Sequence, residues 1–116
     1  MERILTDHPK LTAFISGETH SGLAIFHRLI ELGYSIPDDF SLIVFRDDGM
    51  LSSMTPALTA IGFQYMDIAR ETMSQLVMRI HDSNKISKRI LFKPYLIERD
   101  SVCPPRGGLV KYTEYV

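Results

Sequence analysis

The chain has 116 residues, a size that fits one ordinary domain or a part of a larger one. Apolar residues make up 45% and charged residues 23%, so the chain can bury a core and does not have the composition of a disordered segment. Thirteen basic and fourteen acidic side chains leave a net charge of −1, which lacks the positive charge that nucleic-acid-binding modules use to neutralise phosphates.

Cysteine content and hydropathy indicate in which cellular compartment the chain is expected. The single cysteine, Cys103, excludes an internal disulfide and a cysteine-rich zinc site, and it suits a reducing compartment. No apolar run approaches the roughly 18–20 residues that span a bilayer, and residues 1–9 do not form the apolar block of a signal peptide. We therefore expect a soluble, cytoplasmic α/β chain without membrane contact.

The first part of the chain predicts a strand, a helix and a second strand. Residues 12–17 are a short apolar run closed by glycine, and the lack of polar alternation is typical of a strand covered on both faces. Apolar residues then recur at helical spacing, with Leu23 and Phe26 on one face, and Gly33 is well placed to end this helix. Residues 40–45 predict a second buried strand, which completes one βαβ unit.

Shorter elements and a second long helix follow. Residues 51–54 predict a helical turn, and residues 58–63 predict a brief extended segment. Helical spacing of apolar residues predicts a long helix that begins between 64 and 67 and ends near 81. The apolar stretch 89–98 contains Pro94, which cannot donate a ladder hydrogen bond, so it predicts an edge strand or two strands joined at a bend.

The sequence carries no enzyme motif and implies no cofactor. It lacks a glycine-rich dinucleotide turn, a phosphate loop and a serine nucleophile elbow. Its four histidines have no metal-ligand spacing, so we expect no metal site. Asp47 and Asp48 are adjacent, and neighbouring strand residues point to opposite faces, which favours a loop or cleft edge over an acid/base pair.

One positional argument favours a binding site. Ligands of open parallel sheets bind beyond the carboxyl ends of the strands. The polar segments 17–19 and 46–48 directly follow the two predicted buried strands. The alternative is that these segments are ordinary polar loops, into which any strand emerges.

Three segments, in order and with matching spacing, resemble a known family. They are residues 31–45, with Leu-Gly and Ile-Pro-Asp-Asp-Phe-Ser-Leu-Ile-Val; residues 55–61, Thr-Pro-Ala-Leu-Thr-Ala-Ile; and residues 95–102, Tyr-Leu-Ile-Glu-Arg-Asp-Ser-Val. The pattern covers about residues 9–102. It resembles the C-terminal part of lactose/galactose-repressor (LacI/GalR) family transcription regulators.

The resemblance implies a fold and a division of the chain. The fold would be part of a periplasmic-binding-protein-like (type I) α/β domain, an incomplete three-layer α/β/α arrangement around a parallel sheet. Residues 1–103 would be a C-terminal fragment of the effector-binding and dimerisation domain, and residues 104–116 a tail with few anchors. The helix at about 64–82 would pack onto an N-terminal subdomain, which this chain lacks, as it lacks the DNA-binding headpiece.

The resemblance also implies the site residues. Where the family has asparagine-aspartate after the first strand and phenylalanine-aspartate-aspartate after the second, this chain has Glu18-Thr19 and Phe45-Arg46-Asp47. We therefore predict that Glu18, Thr19, Arg46 and Asp47 bind the effector. A guanidinium suits a carboxylate or phosphate, so Arg46 puts a plain neutral sugar in doubt. The alternative is a degenerate site in which Glu18 and Arg46 pair with each other.

A homodimer is implied as well. In the family the helix after the first strand and the loop before the proline-leucine-threonine motif form much of the subunit interface. The matching residues here are Leu23, Phe26, His27, Ser52, Met54 and Thr55. For Leu23 and Phe26 the alternative is the core of a single chain.

The predicted function is effector sensing and dimerisation within a LacI-type regulator of carbohydrate or related metabolism, without catalysis. The effector would be a sugar, a sugar phosphate or another small metabolite, and DNA would be contacted only through a headpiece absent from this chain. The alternative is a truncated, solute-binding-protein-like module that binds a small molecule and has no transcriptional role.

Overall fold

The computed structural model describes residues 1–82, 84, 86 and 88–106. The elements in chain order are α1 (Glu2–Asp7), β1 (Ala13–Ser16), α2 (Thr19–Glu31), β2 (Ser41–Phe45), a 3₁₀ turn (Met50–Ser53), β3 (Thr59–Gly62), α3 (Tyr65–His81) and β4 (Tyr95–Ile97). The strand–helix–strand unit, the helical turn, the third strand and the long helix are confirmed in type and order. The short helix α1 was not predicted.

The four strands form one sheet in the order β1-β2-β3-β4. The first three strands are parallel, and β4 pairs antiparallel with β3 at the edge. The edge position agrees with Pro94, which stands directly before β4 and does not interrupt a ladder. The parallel pairing brings the carboxyl ends of β1, β2 and β3 to the same edge of the sheet.

Helix α2 covers one face of this sheet and forms the core with it. Phe26 and Leu29 of α2 are buried together with Leu42, Val44 and Ala60 of the strands. The helix approaches the sheet closely at Gly22, where an added Cβ would lie 2.6 Å from Cγ2 of Val44. A residue with a side chain at this position would push the helix away from β2.

Helix α2 ends as the sequence predicts. Gly33 has a φ of +84°, the left-handed conformation that glycine adopts without penalty. The Tyr34 amide donates to the Leu29 carbonyl at 3.0 Å, and the Gly33 amide donates to the Ile30 carbonyl at 2.9 Å. These two bonds form a Schellman motif, which satisfies carbonyls that the last turn would otherwise leave unpaired.

The opposite face of the sheet is open in this chain. Ile15 of β1 is 67% exposed, and Leu96 of β4 is also exposed. The prediction that residues 12–17 form a strand covered on both faces is therefore wrong for the described part of the chain, because α2 covers only the face that Phe14 and Ser16 share with Leu42 and Val44.

Helix α3 has an apolar stripe and no buried residue. The exposed apolar residues of this stripe are Met66, Met73, Leu76, Val77 and Ile80. Packing of this helix onto another subdomain remains a prediction. The proposed boundaries at 1–103 and 104–116 also remain predictions, since residues 107–116 of the tail lie outside the described residues.

The segment after β4 ties the amino-terminal ends of β2 and β3 together. Ser101 is fully buried, and its main-chain carbonyl accepts from the Leu42 amide at 2.8 Å. Its hydroxyl donates to the Leu42 carbonyl at 2.6 Å and accepts from the Thr59 amide at 2.8 Å. One serine thus satisfies three polar groups of two neighbouring strands.

Candidate ligand-binding cleft

A cleft of about 320 Å³ lies beyond the carboxyl ends of β1 and β2. Its lining consists of Glu18, Thr19, His20, Arg46, Asp47, Asp48 and Tyr65. The volume lies at the lower end of the range of about 300–1,000 Å³ that small-molecule sites occupy. All four residues that the sequence predicts for effector binding line this one cleft, and their binding role remains a prediction.

Glu18 and Thr19 are placed by the start of α2. Glu18 is the N-cap residue, and its main-chain carbonyl accepts hydrogen bonds from the Gly22 amide and the Ser16 and Ser21 hydroxyls. Its carboxylate makes no capping hydrogen bond, which leaves the charge for the cleft. Thr19 is the first residue of the helix, and its hydroxyl donates to the Arg46 carbonyl.

Arg46 is held by its backbone in an uncommon conformation. Its φ is +69°, in the left-handed region that residues other than glycine rarely adopt. The Thr19 hydroxyl donates to the Arg46 carbonyl at 3.0 Å, and the Arg46 amide donates to the Ile61 carbonyl at 3.0 Å. These bonds connect the ends of β1, β2 and β3 at a single residue and fix the point from which the guanidinium extends.

Glu18 and Arg46 do not pair with each other. Both side chains line the cleft, but no ion pair or side-chain hydrogen bond joins them or connects either to another of the residues that the structure describes. The alternative of a degenerate site closed by a Glu18–Arg46 pair is therefore contradicted. The cleft presents one carboxylate and one guanidinium that remain free to contact a ligand.

Asp47 differs from these two residues because its carboxylate is already engaged. Arg99 donates from Nη2 to Oδ2 at 2.5 Å and from Nη1 to Oδ1 at 3.3 Å, and the two side chains are only 15% and 16% exposed. Arg99 Nη1 also donates to the Leu58 carbonyl at 2.7 Å, and its amide donates to the Thr59 hydroxyl at 3.0 Å. Asp47 thus anchors the wall of the cleft.

Sequence reasoning missed three residues of this region, namely His20, Tyr65 and Arg99, whereas Asp48 was expected at a loop or cleft edge. His20 directly follows a predicted site residue, so its sequence neighbourhood was a usable signal. Tyr65 opens α3 just after β3, and the rule that ligands bind at carboxyl ends of parallel strands extends to this third strand. Arg99 had no such signal, since its contact with Asp47 joins positions 52 residues apart.

The predicted interface residues lie in different environments. Phe26 is only 6% exposed and belongs to the core, so its assignment to a dimer interface is corrected to the intramolecular alternative. Leu23 and Met54 are partly buried against the same core. His27, Ser52 and Thr55 are exposed. Contact of these five residues with a second subunit remains a prediction.

The described residues hold neither a cluster of metal ligands nor a helix that could cross a membrane. No group of three or more histidine, cysteine, aspartate or glutamate side chains in that part of the chain is arranged to hold a metal ion. No helix there combines the length and hydropathy that crossing a membrane requires.

Comparison with known proteins identifies the family. Residues 1–102 match the family described as periplasmic binding protein-like domain. The "Probable opine utilization operon repressor" of Rhizobium rhizogenes is 37% identical over 98 residues, which cover 84% of this chain and 50% of that protein. This chain therefore spans about half the length of that relative.

Two solved structures are similar to the chain in fold and, more distantly, in sequence. A LacI-family regulator from Enterococcus faecalis V583 with bound ribose superposes with a TM-score of 0.79 at 25% identity, covering 90% of this chain and 40% of that one. A sugar-binding LacI-family regulator from Escherichia coli complexed with phosphate gives a TM-score of 0.73 at 25% identity, covering 87% and 36%. Such relatives are transcriptional regulators and not enzymes. The chain belongs to the periplasmic binding protein-like family, in the branch formed by the LacI-family transcriptional regulators.

Proposed function

We propose that the chain senses a small-molecule effector as the C-terminal part of the effector domain of a LacI-type transcriptional regulator. The observation that carries this proposal is the cleft itself, which places Glu18, Thr19 and Arg46 together at the strand ends. Similar structures carry ribose or phosphate, which supports a small metabolite as the effector. The relatives are regulators of transcription, which supports a cytoplasmic site of action.

The chemistry of the cleft favours an effector with an anionic group. Arg46 supplies a planar fork of donors that matches a carboxylate or a phosphate, and no residue of the described chain occupies it. One similar protein is named as the repressor of an opine utilization operon, one structure holds ribose, and one sugar-binding regulator is complexed with phosphate, so the molecules named with these proteins differ in chemistry. In this proposal the side chain at position 46 determines which chemical class of effector the chain binds.

The proposed mechanism is a shift between two arrangements of a dimer. An effector that contacts Arg46 on one side of the cleft, and the other subdomain on the opposite side, stabilises the closed arrangement. The Asp47–Arg99 pair would transmit this change to the segment after β4, because it joins the cleft wall to that segment. DNA would be contacted through a headpiece outside this chain, and Leu23, His27, Ser52, Met54 and Thr55 would contribute to the subunit interface.

A ligand panel tests this function. Thermal unfolding of the full-length protein is followed with free sugars, sugar phosphates and carboxylates, since a ligand that binds the folded state raises the melting temperature by mass action. Calorimetry then compares wild type with Arg46→Asp. We expect at least one anionic compound to bind wild type and to lose measurable binding in the variant. A panel in which no compound binds, or in which Arg46→Asp leaves every affinity unchanged, would contradict the proposal.

A further inference from the structure

The cleft holds side chains of opposite charge that are unpaired within the described chain. The Glu18 carboxylate and the Arg46 guanidinium both line the cleft without a partner among the residues that the structure describes. Several other arginines of the described chain do form an ion pair with a carboxylate. Arginines that pair with a carboxylate are Arg3, Arg28, Arg70, Arg99 and Arg106.

The main chains of Glu18 and Arg46 are both anchored at the cleft. Glu18 is fixed as the N-cap of α2, where its carbonyl accepts three hydrogen bonds. Arg46 is fixed in the left-handed conformation by its bonds to Thr19 and Ile61. The two charged groups therefore extend from separate, anchored strand ends, and a ligand between them can contact both.

The balance of charge around the cleft argues against a purely anionic ligand. Asp47 is neutralised by Arg99, but Asp48 is not in an ion pair within the described chain and accepts only the Met50 amide at 3.1 Å. Two carboxylates, those of Glu18 and Asp48, thus stand against the guanidinium of Arg46, and the remaining basic side chain of the lining is the imidazole of His20. A ligand that carried only negative charge would lie close to these two carboxylates. Contacts between like charges weaken binding strongly.

We propose that the effector is a small zwitterion, which carries an ammonium group as well as a carboxylate, as amino acids and their N-alkylated derivatives do. Its carboxylate pairs with Arg46, and its ammonium group lies against Glu18 with Asp48 nearby. The ring of Tyr65, which is 46% exposed at the cleft, offers a face for the cation or for an apolar side chain. This inference rests on the proposed effector-sensing function and names the chemical class of its ligand.

The test removes each charge from the ligand in turn. The full-length protein is titrated by calorimetry with the twenty common amino acids and with N-carboxyalkyl amino acids, beside ribose and ribose 5-phosphate as comparators. Each amino acid or N-carboxyalkyl amino acid that binds is measured again as its N-acetyl derivative, which lacks the cation, and with every α-carboxylate and N-carboxyalkyl carboxylate converted to an amide, which removes the anion. We expect each change to weaken binding to wild type by about 10- to 100-fold, as loss of a charged hydrogen bond does.

Matched variants show which residue is responsible for each loss of ligand affinity. In Glu18→Gln, N-acetylation of the ligand is expected to cost less than about threefold, while amidation keeps its full cost; Arg46→Gln is expected to show the reverse. Arg3→Gln serves as the control, because Arg3 is exposed on α1 and outside the cleft, and it should retain the wild-type affinities.

The outcomes separate this inference from the proposed function. Ribose 5-phosphate or ribose binding more tightly than every zwitterion, with dependence on Arg46, would overturn the zwitterion and leave effector sensing intact. Equal losses on N-acetylation in wild type and Glu18→Gln would also overturn it. The absence of binding by every compound of both panels would overturn the inference and the proposed function together.

Discussion

Arg99 and Asp47 form a two-point ion pair that joins the segment after β4 to the wall of the cleft. The pair is mostly shielded from water, and Arg99 makes further bonds to the Leu58 carbonyl and the Thr59 hydroxyl. Asp47 directly follows Arg46, so a fixed Asp47 also limits the movement of the residue that we propose to contact the effector. We therefore expect the pair to affect both stability and the proposed binding of the effector.

Replacing one member of this pair is expected to destabilise the protein. Arg99→Gln leaves the Asp47 carboxylate shielded and without its cation, which is expected to lower the free energy of unfolding by about 3 kcal/mol. Urea denaturation of wild type and variant measures the change. The double variant Asp47→Asn/Arg99→Gln provides the control, since removing both charges should recover part of the loss. Strictly additive effects of the two substitutions would show that the pair contributes no coupling.

The close approach of α2 to β2 gives a second prediction, at Gly22. A methyl group there would meet Cγ2 of Val44 at 2.6 Å and Cγ1 at 2.9 Å, so the helix or the strand must shift. Gly22→Ala is expected to destabilise the fold by about 1–3 kcal/mol through overpacking. Gly17→Ala is a matched control, because no atom lies within 4 Å of its added Cβ. Equal stabilities of the two variants in urea would contradict the packing argument.

The parts of the fold that could be predicted from the sequence are those that depend on contacts between residues close together in the chain. Helix α2 and strand β2 follow from local spacing of apolar residues, and the end of α2 follows from Gly33, whose conformation depends on its own missing side chain. Helix α1 has six residues, too short for an apolar period to stand out. The exposure of Ile15 was not predictable, because an apolar run does not reveal which neighbouring layers are present.

In the site, too, features with a local sequence signal could be predicted and features that depend on distant contacts could not. Glu18 and Arg46 could be placed at one sheet edge because strand ends are visible in the sequence and parallel strands align them. The left-handed φ of Arg46 and the bonds of its main chain to Thr19 and Ile61 could not be predicted, since contacts between distant positions leave no local signal. The engagement of Asp47 by Arg99 is a contact between distant positions and had no local signal.

A third prediction concerns the hydroxyl of Ser101. Ser101→Ala removes the donor to the Leu42 carbonyl and the acceptor for the Thr59 amide in a fully buried position. Buried polar groups that lose their partner typically cost about 1–3 kcal/mol, so the variant is expected to lose stability in that range. Ser74→Ala, at an exposed position of α3, should be neutral or slightly stabilising because alanine favours helix. Unchanged stability of Ser101→Ala in urea would contradict the role of the hydroxyl.

The fourth prediction concerns the titration of Asp39, which follows the turn after α2. Its Oδ2 accepts the Ser35 amide at 2.8 Å and the Ser35 hydroxyl at 2.9 Å, and its Oδ1 lies 2.8 Å from Arg106. The backbone hydrogen bond first, then the hydroxyl and the charge of Arg106, hold the pKa of this carboxyl below its usual value of 3.8. These bonds favour the charged form, so the stabilisation they give is complete above pH 3.8 and is lost as the pH falls through the lowered pKa.

Carboxyl-carbon NMR titration of the full chain measures this pKa directly. In wild type we expect Asp39 to titrate below 3.8. Ser35→Ala deletes the hydroxyl and keeps the amide, which is the larger cause, so the pKa should rise only part of the way to its usual value. Arg106→Gln should produce a smaller rise that disappears at high salt, because a charge interaction at the surface is screened and a hydrogen bond is not. A pKa of Asp39 at or above 3.8 in wild type, or a larger rise in Arg106→Gln than in Ser35→Ala, would show that the turn does not hold this carboxylate.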